Sequence, residues 1–126
     1  MENAWVVRIV LFVAMLGTGL FLVWMARAAA SGRLKRNDLA GIRIPSTMAS
    51  DEAWLAAHAR AERPTIYAGV VAAASGIFAL LPLPLAGVAI GVLVAASIVL
   101  ALMLYGAREG GKAATAVSND DRGVRP

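Results

Sequence analysis

The residues with chemistry to offer lie between Asn37 and Glu62. Ser50-Asp51-Glu52 reads as an N-cap followed by acids that complement a helix N-terminus, so a short helix is predicted from there to about Glu62. At about 100° per residue, Asp51, Trp54, His58 and Glu62 share one quadrant of that helix, with Ala57 and Ala61 beside them. Upstream, Arg43 offers a forked donor suited to a carboxylate or phosphate, and Trp54 with His58 forms the edge of a polar pocket. A single histidine near carboxylates lacks a second nitrogen or sulfur ligand, so no metal is assigned. Ser46, Thr47 and Ser50 supply hydroxyls, yet no base and orienter accompany them; they are read as turn and cap residues, and no catalytic residue is assigned.

The segment before that helix, residues 37–49, is expected to be extended or turned. Asn37-Asp38 favours a turn, Gly41 permits positive φ, and Ile44 is biased away from the helical region by Pro45. The structural reading of the helix itself is an amphipathic element lying on a membrane surface, with Trp54 and Leu55 as anchors, arginines at headgroup phosphates and a break at Arg63-Pro64.

A membrane is implied by composition. The 126 residues are 60% hydrophobic and 16% charged, with a mean hydropathy of +0.71, and a soluble domain of that size has too little core to bury so much apolar surface. The net charge of +4 does not point to nucleic acid, because the basic residues flank apolar runs and do not line one face. Ten Arg against two Lys, with abundant Ala, fits a GC-rich bacterial source. With no cysteine there is no thiolate chemistry or disulfide, and no cofactor is assigned.

An all-α membrane protein with three transmembrane helices follows. The first span covers about 5–26, where only Arg8 is charged and its long side chain can snorkel to the interface. Trp5 and Trp24 are placed to meet the two aromatic belts. The uncharged run from Pro64 to Ala107 holds two more, about 64–82 and 85–106, joined by a hairpin at LPLPL and flanked by Tyr67 and Tyr105 at one interface. The motif loop, 27–63, carries seven basic residues, and the tail, 108–126, carries four more. The positive-inside rule then places the N-terminus outside, with the loop and C-terminus in the cytoplasm of a multi-pass plasma-membrane protein. A rival reading, a secretory signal cleaved after Ala28-Ala29-Ala30, has against it a weak basic start and an overlong apolar run. The small, polar, glycine-bearing tail is expected to be disordered.

Small residues recur at intervals of four within the last two spans: Ala68, Ala72 and Gly76 in one, Gly87, Gly91 and Ala95 in the other. Such stripes let helices approach closely in lipid, and the expectation is that these two pack on each other across the hairpin, a homodimer seam being the alternative. No ionisable side chain lies in the middle of a span, which argues against an ion-coupled transporter.

The order Asn37, Gly41-Ile42-Arg43, Pro45, Thr47, Trp54 and His58 resembles the signature of the SdpI family of small bacterial integral membrane proteins, over about residues 36–61. Ile44 stands where a Thr commonly follows the Arg in that family. The resemblance implies a non-enzymatic membrane protein that confers toxin immunity or signals the presence of a toxin. A toxin or regulatory protein is then its partner, besides membrane lipids, and Asn37, Gly41, Arg43, Pro45, Thr47, Trp54 and His58 hold the motif in shape or bind that partner. An accessory or scaffolding subunit of a larger membrane complex is the alternative.

Overall fold

The computed structural model describes residues 2–124, with side chains from 3 to 120. The chain is all-α: α1 runs Glu2–Ala30, a short 3-10 turn covers Thr47–Ala49, α2 runs Asp51–Phe78 and α3 runs Leu85–Val124. Two helices, α1 and α3, are long and apolar enough to cross a membrane. Between Pro64 and Phe78 the apolar half of α2 has 15 residues, about 22 Å of helix against a hydrocarbon thickness of about 30 Å. The apolar turn 79–84 continues beyond it.

The central helix is α2, packed on α1 along one side and on α3 along another. Backbones meet where side chains are missing. A Cβ on Gly19 of α1 would collide with the Gly69 carbonyl oxygen and Ala73 of α2, and one on Gly76 would lie 2.9 Å from the Leu16 nitrogen and 3.0 Å from the Phe12 oxygen. Gly76 therefore faces α1 and not α3, contrary to the expected pairing of the two stripes. Ala68 and Ala72 are fully buried, Ala68 beside Leu22 and Met25 of α1 with Leu102 and Met103 of α3 packed against them. On α3, Gly91 makes room for the Phe78 ring, Gly87 faces open space and Ala95 is half-buried. Of that second stripe, only Gly91 marks a close approach.

Arg8 ties the N-terminal part of α1 to the α2–α3 turn. It is only 8% exposed, and its guanidinium donates to the Leu81 carbonyl at 2.6 Å, to that of Leu83 and, at 3.4 Å, to that of Ala79. These carbonyls close α2 and its turn, where a cation satisfies unpaired acceptors and complements the negative end of the helix dipole. The charge that seemed free to snorkel is a cross-link between elements.

Two boundaries differ from expectation. No break occurs at Pro64, which sits inside α2. The Thr65 hydroxyl donates to the Ala61 carbonyl at 2.8 Å, re-using an acceptor beside the disrupted turn. The predicted surface helix 51–62 is thus the first half of α2, projecting from the apolar region. Likewise α3 does not stop near Gly106, and residues 108–124 continue it instead of forming a disordered tail. Forty residues make about 60 Å of helix, twice a bilayer core, so the second half projects alongside α2. It is held there by tertiary contact: a Cβ on Gly110 would lie 2.9 Å from the Ala57 oxygen, Ala114 is buried with Ala53 and Ala57, and Glu109 pairs with Arg60 at 3.4 Å. Residues 125 and 126 of the expected tail lie outside the described residues.

Gly19→Ala should therefore lower unfolding stability in detergent by about 1–3 kcal/mol, because backbone atoms must move apart. Gly17→Ala, whose Cβ meets nothing within 4 Å, should be neutral or slightly stabilising, and a thermal melt of both variants decides this. Arg8→Ala, which strands the Ala79 and Leu83 carbonyls and leaves that of Leu81 only the Leu83 N–H, should cost about 2 kcal/mol or more in the same melt, with Arg8→Lys intermediate.

Candidate functional site

The loop 31–50 is folded onto the first half of α2 by side chains whose polar atoms bind backbone. Asn37 builds its first turn: its amide nitrogen donates to the carbonyls of Lys35 at 2.7 Å and Ala40 at 3.1 Å, while its oxygen accepts from the Leu39 and Ala40 nitrogens, both at 2.8 Å. All the strong positions of one amide are used. Leu39, at the tip, is left 94% exposed.

Gly41 follows with φ +107°, and a Cβ there would sit 2.5 Å from the Trp54 ring and 2.9 Å from His58 Nε2. Both the backbone angle and the space exclude other residues. This approach brings the Ile42 N–H to His58 Nε2 at 2.9 Å. Because Nε2 accepts, the ring proton is on Nδ1, which donates to the Trp54 carbonyl at 2.8 Å. Trp54 and His58 stack with centroids 4.1 Å apart, and Trp54 Nε1 donates to the Leu34 carbonyl at 2.9 Å. Both residues are nearly fully buried, so they floor the loop, and Trp54 is not a membrane anchor. An edge of Trp54 borders a cavity of about 180 Å³ with Leu34, Arg36 and Asp51, a cavity that His58 does not line. With both ring nitrogens engaged, His58 has no lone pair to give a substrate.

Thr47, fully buried, closes the other half. Its hydroxyl donates to the Ile42 carbonyl at 2.6 Å, lies 3.0 Å from that of Ile44 and accepts from the Ile44 nitrogen at 3.1 Å. Ser50 caps α2, accepting from the Ala53 nitrogen at 3.0 Å. Arg43 and Pro45 lie on the outer surface. Arg43 reaches Asp38 at 3.7 Å, a contact between two exposed side chains that holds the guanidinium only loosely. The structure thus gathers Gly41, Thr47, Trp54 and His58 around the Ile42 backbone into one largely buried assembly, sets Asn37 in the half-buried turn that leads into it, and leaves Arg43 and Pro45 outside.

Burial lowers the His58 pKa below its ordinary 6.5, the hydrogen bond with Trp54 opposing this more weakly. Three participants were not legible as site residues: Leu34, whose carbonyl receives Trp54; Arg36, which donates to the Met48 carbonyl at 2.8 Å and pairs with Asp51 at 3.5 Å; and Gly111, against which Ile44 and Ser46 pack. Leu34 acts through its carbonyl, and the Arg36 guanidinium finds its hydrogen-bond acceptor in the Met48 carbonyl; backbone groups of this kind leave no trace in residue type. Gly111 belongs to the Gly106, Gly110 and Ala114 region, whose spacing of four was a usable signal of helix contact.

A family model for the SdpI/YfhL protein family matches residues 33–106, which is more than half of the chain. The chain belongs to the SdpI/YfhL protein family. The match opens in the motif loop and closes at Gly106, so it takes in the whole buried assembly, α2 and the apolar half of α3. Together with the two apolar helices, membership makes this an SdpI-like membrane protein. SdpI/YfhL is not a known enzyme family. No curated protein and no solved structure matches the chain.

Two outcomes follow. His58 is the one histidine of the chain, so its ring should give a single set of NMR signals, with the proton on Nδ1 and a titration midpoint below 6.5. Since the unfolded chain takes up this proton first as pH falls, the stability contributed by neutral His58 is complete above about 6.5 and is lost as pH drops through the lowered value. Gly41→Ala should destabilise by about 2–4 kcal/mol, from the positive φ and the ring collisions together, as read by loss of Trp54 burial in a Trp5→Phe/Trp24→Phe background.

Proposed function

We propose that this SdpI-like protein spans the bacterial plasma membrane three times, N-terminus outside, and acts without catalysis in toxin immunity or membrane-bound signalling. In this reading the rigid loop 31–50 faces the cytoplasm and presents Arg43, Pro45 and Leu39 to a regulatory protein. The single observation that carries it is the use of every polar atom of Trp54 and of both His58 ring nitrogens to hold backbone. Those residues are committed to shape, and the groups left free are those of a docking surface. Three spans are supported by the antiparallel order of the helices: Arg8 sits beside the α2–α3 turn at one end, and the basic loop lies beside the second half of α3 at the other. Retention of α1 is supported by its close packing along α2.

The absence of cysteine allows a direct test of topology. Single cysteines at Ser46 and at Leu83 should behave oppositely toward an impermeant thiol reagent on intact cells, Leu83→Cys labelling and Ser46→Cys not. Labelling of Ser46→Cys from outside overturns the orientation. For function, cells expressing the protein are challenged by a toxin-secreting neighbour. Arg43→Ala should abolish survival while the protein stays in the membrane at normal level. Undiminished survival with Arg43→Ala removes the exposed face from the mechanism.

A further inference from the structure

A second feature lies on the other side of α2, where it meets α3 at the end of the apolar region. Arg60, Arg63 and Tyr67 on α2 follow the spacing i, i+3, i+7, and so do Leu102, Tyr105 and Glu109 on α3, so each set forms one stripe. The stripes face each other across a cleft of about 390 Å³ floored by Pro64. We propose that this cleft binds the phosphate headgroup of an anionic phospholipid. The inference rests on the membrane reading of the apolar helices and is independent of the immunity or signalling role.

Charge supports it. Glu109 is the cleft's carboxylate, and it is already engaged, by Lys112 at 3.3 Å and by Arg60 at 3.4 Å. Its hydrogen bond with Lys112 leads the effects that hold its pKa below the usual carboxylate range, so it stays an ionised partner of cations. Arg63 makes no ion pair among the described residues and is exposed, so the cleft keeps an unshared guanidinium as well as the remaining donors of Arg60. A planar fork of this kind matches phosphate oxygens.

Depth decides the source of the phosphate. Tyr67 and Tyr105 are both more than half exposed and flank the cleft, at the level where tyrosine hydroxyls meet a headgroup region. From there toward the hairpin, α3 exposes Ile98, Leu100 and Leu104 to the surroundings, a surface for acyl chains. A soluble phosphate has no use for that surface, whereas a basic pocket between helices at the membrane boundary suits a lipid headgroup.

The test is native mass spectrometry of the full chain in mild detergent with equal amounts of phosphatidylglycerol and phosphatidylethanolamine. The first bound lipid should be phosphatidylglycerol by at least about tenfold. Arg60→Gln/Arg63→Gln should remove that preference, while Arg33→Gln/Lys35→Gln, with the same change in charge but in the motif loop, should keep it. Arg63→Gln alone leaves the Arg60–Glu109 pair intact and should weaken binding severalfold, with the helical circular dichroism of every variant unchanged. Equal binding of the two lipids, or equal loss in both double variants, overturns the proposal. Displacement of the bound lipid by millimolar glycerol 3-phosphate overturns the lipid source. The cysteine-labelling pattern is read separately, so failure of the lipid site and failure of the topology are distinguishable.

Discussion

The polar end of the molecule depends on a contact to which one partner brings no side chain. Gly41, at positive φ, lies flat against the Trp54 and His58 rings, and only that approach allows the Ile42 N–H to reach His58. Once the bond is made, the ring's tautomer is set, Trp54 is held against Leu34 and Thr47 gathers the carbonyls downstream. A buried polar network of this sort is stable only when every member is satisfied, and no buried side-chain polar atom among the described residues lacks a partner. The loop is consequently a shaped object and not a flexible connection.

The same logic of missing side chains runs along the rest of α2. Toward the hairpin, Gly69 and Gly76 receive α1; toward the polar end, Ala53 and Ala57 receive Gly110 and Ala114 of α3. In lipid, apolar burial does not drive helices together, so close backbone approach and its dispersion contacts must do so. Outside the lipid, the same small residues bring the extension of α3 close enough for Glu109 to meet Arg60 and for Gly111 to support Ile44 and Ser46. One helix thus organises both halves of the molecule, and Arg8 closes the far end by satisfying carbonyls of the turn.

For function, the consequence is a division of labour within one motif. Asn37, Gly41, Thr47, Trp54 and His58 spend their polar chemistry on backbone, while Arg43, Pro45 and Leu39 remain outside. His58 is neither unengaged nor open, so its ring has no lone pair to offer as a general base. The surface instead has a charged, loosely held guanidinium beside an apolar tip on a rigid support, which suits recognition.

Sequence alone determined the all-α class, the apolar character of the first and last helices, the turn after Asn37, the helix start at Ser50 and the family, since each of these rests on local residue type and spacing. Charge patterning likewise located the basic loop and the uncharged hairpin. Only the tertiary structure decided that α2 passes through Pro64, that residues 108–124 are helical, that Gly76 faces α1 and that Arg8 binds the turn. The reason is the same in each instance: local propensity disfavours the observed state or is silent about it, and a contact with a residue distant in sequence supplies the stabilisation. Gly110 illustrates it most plainly. Read along the chain, a glycine there weakens a helix; read across to Ala57, it is the reason that helix has somewhere to pack.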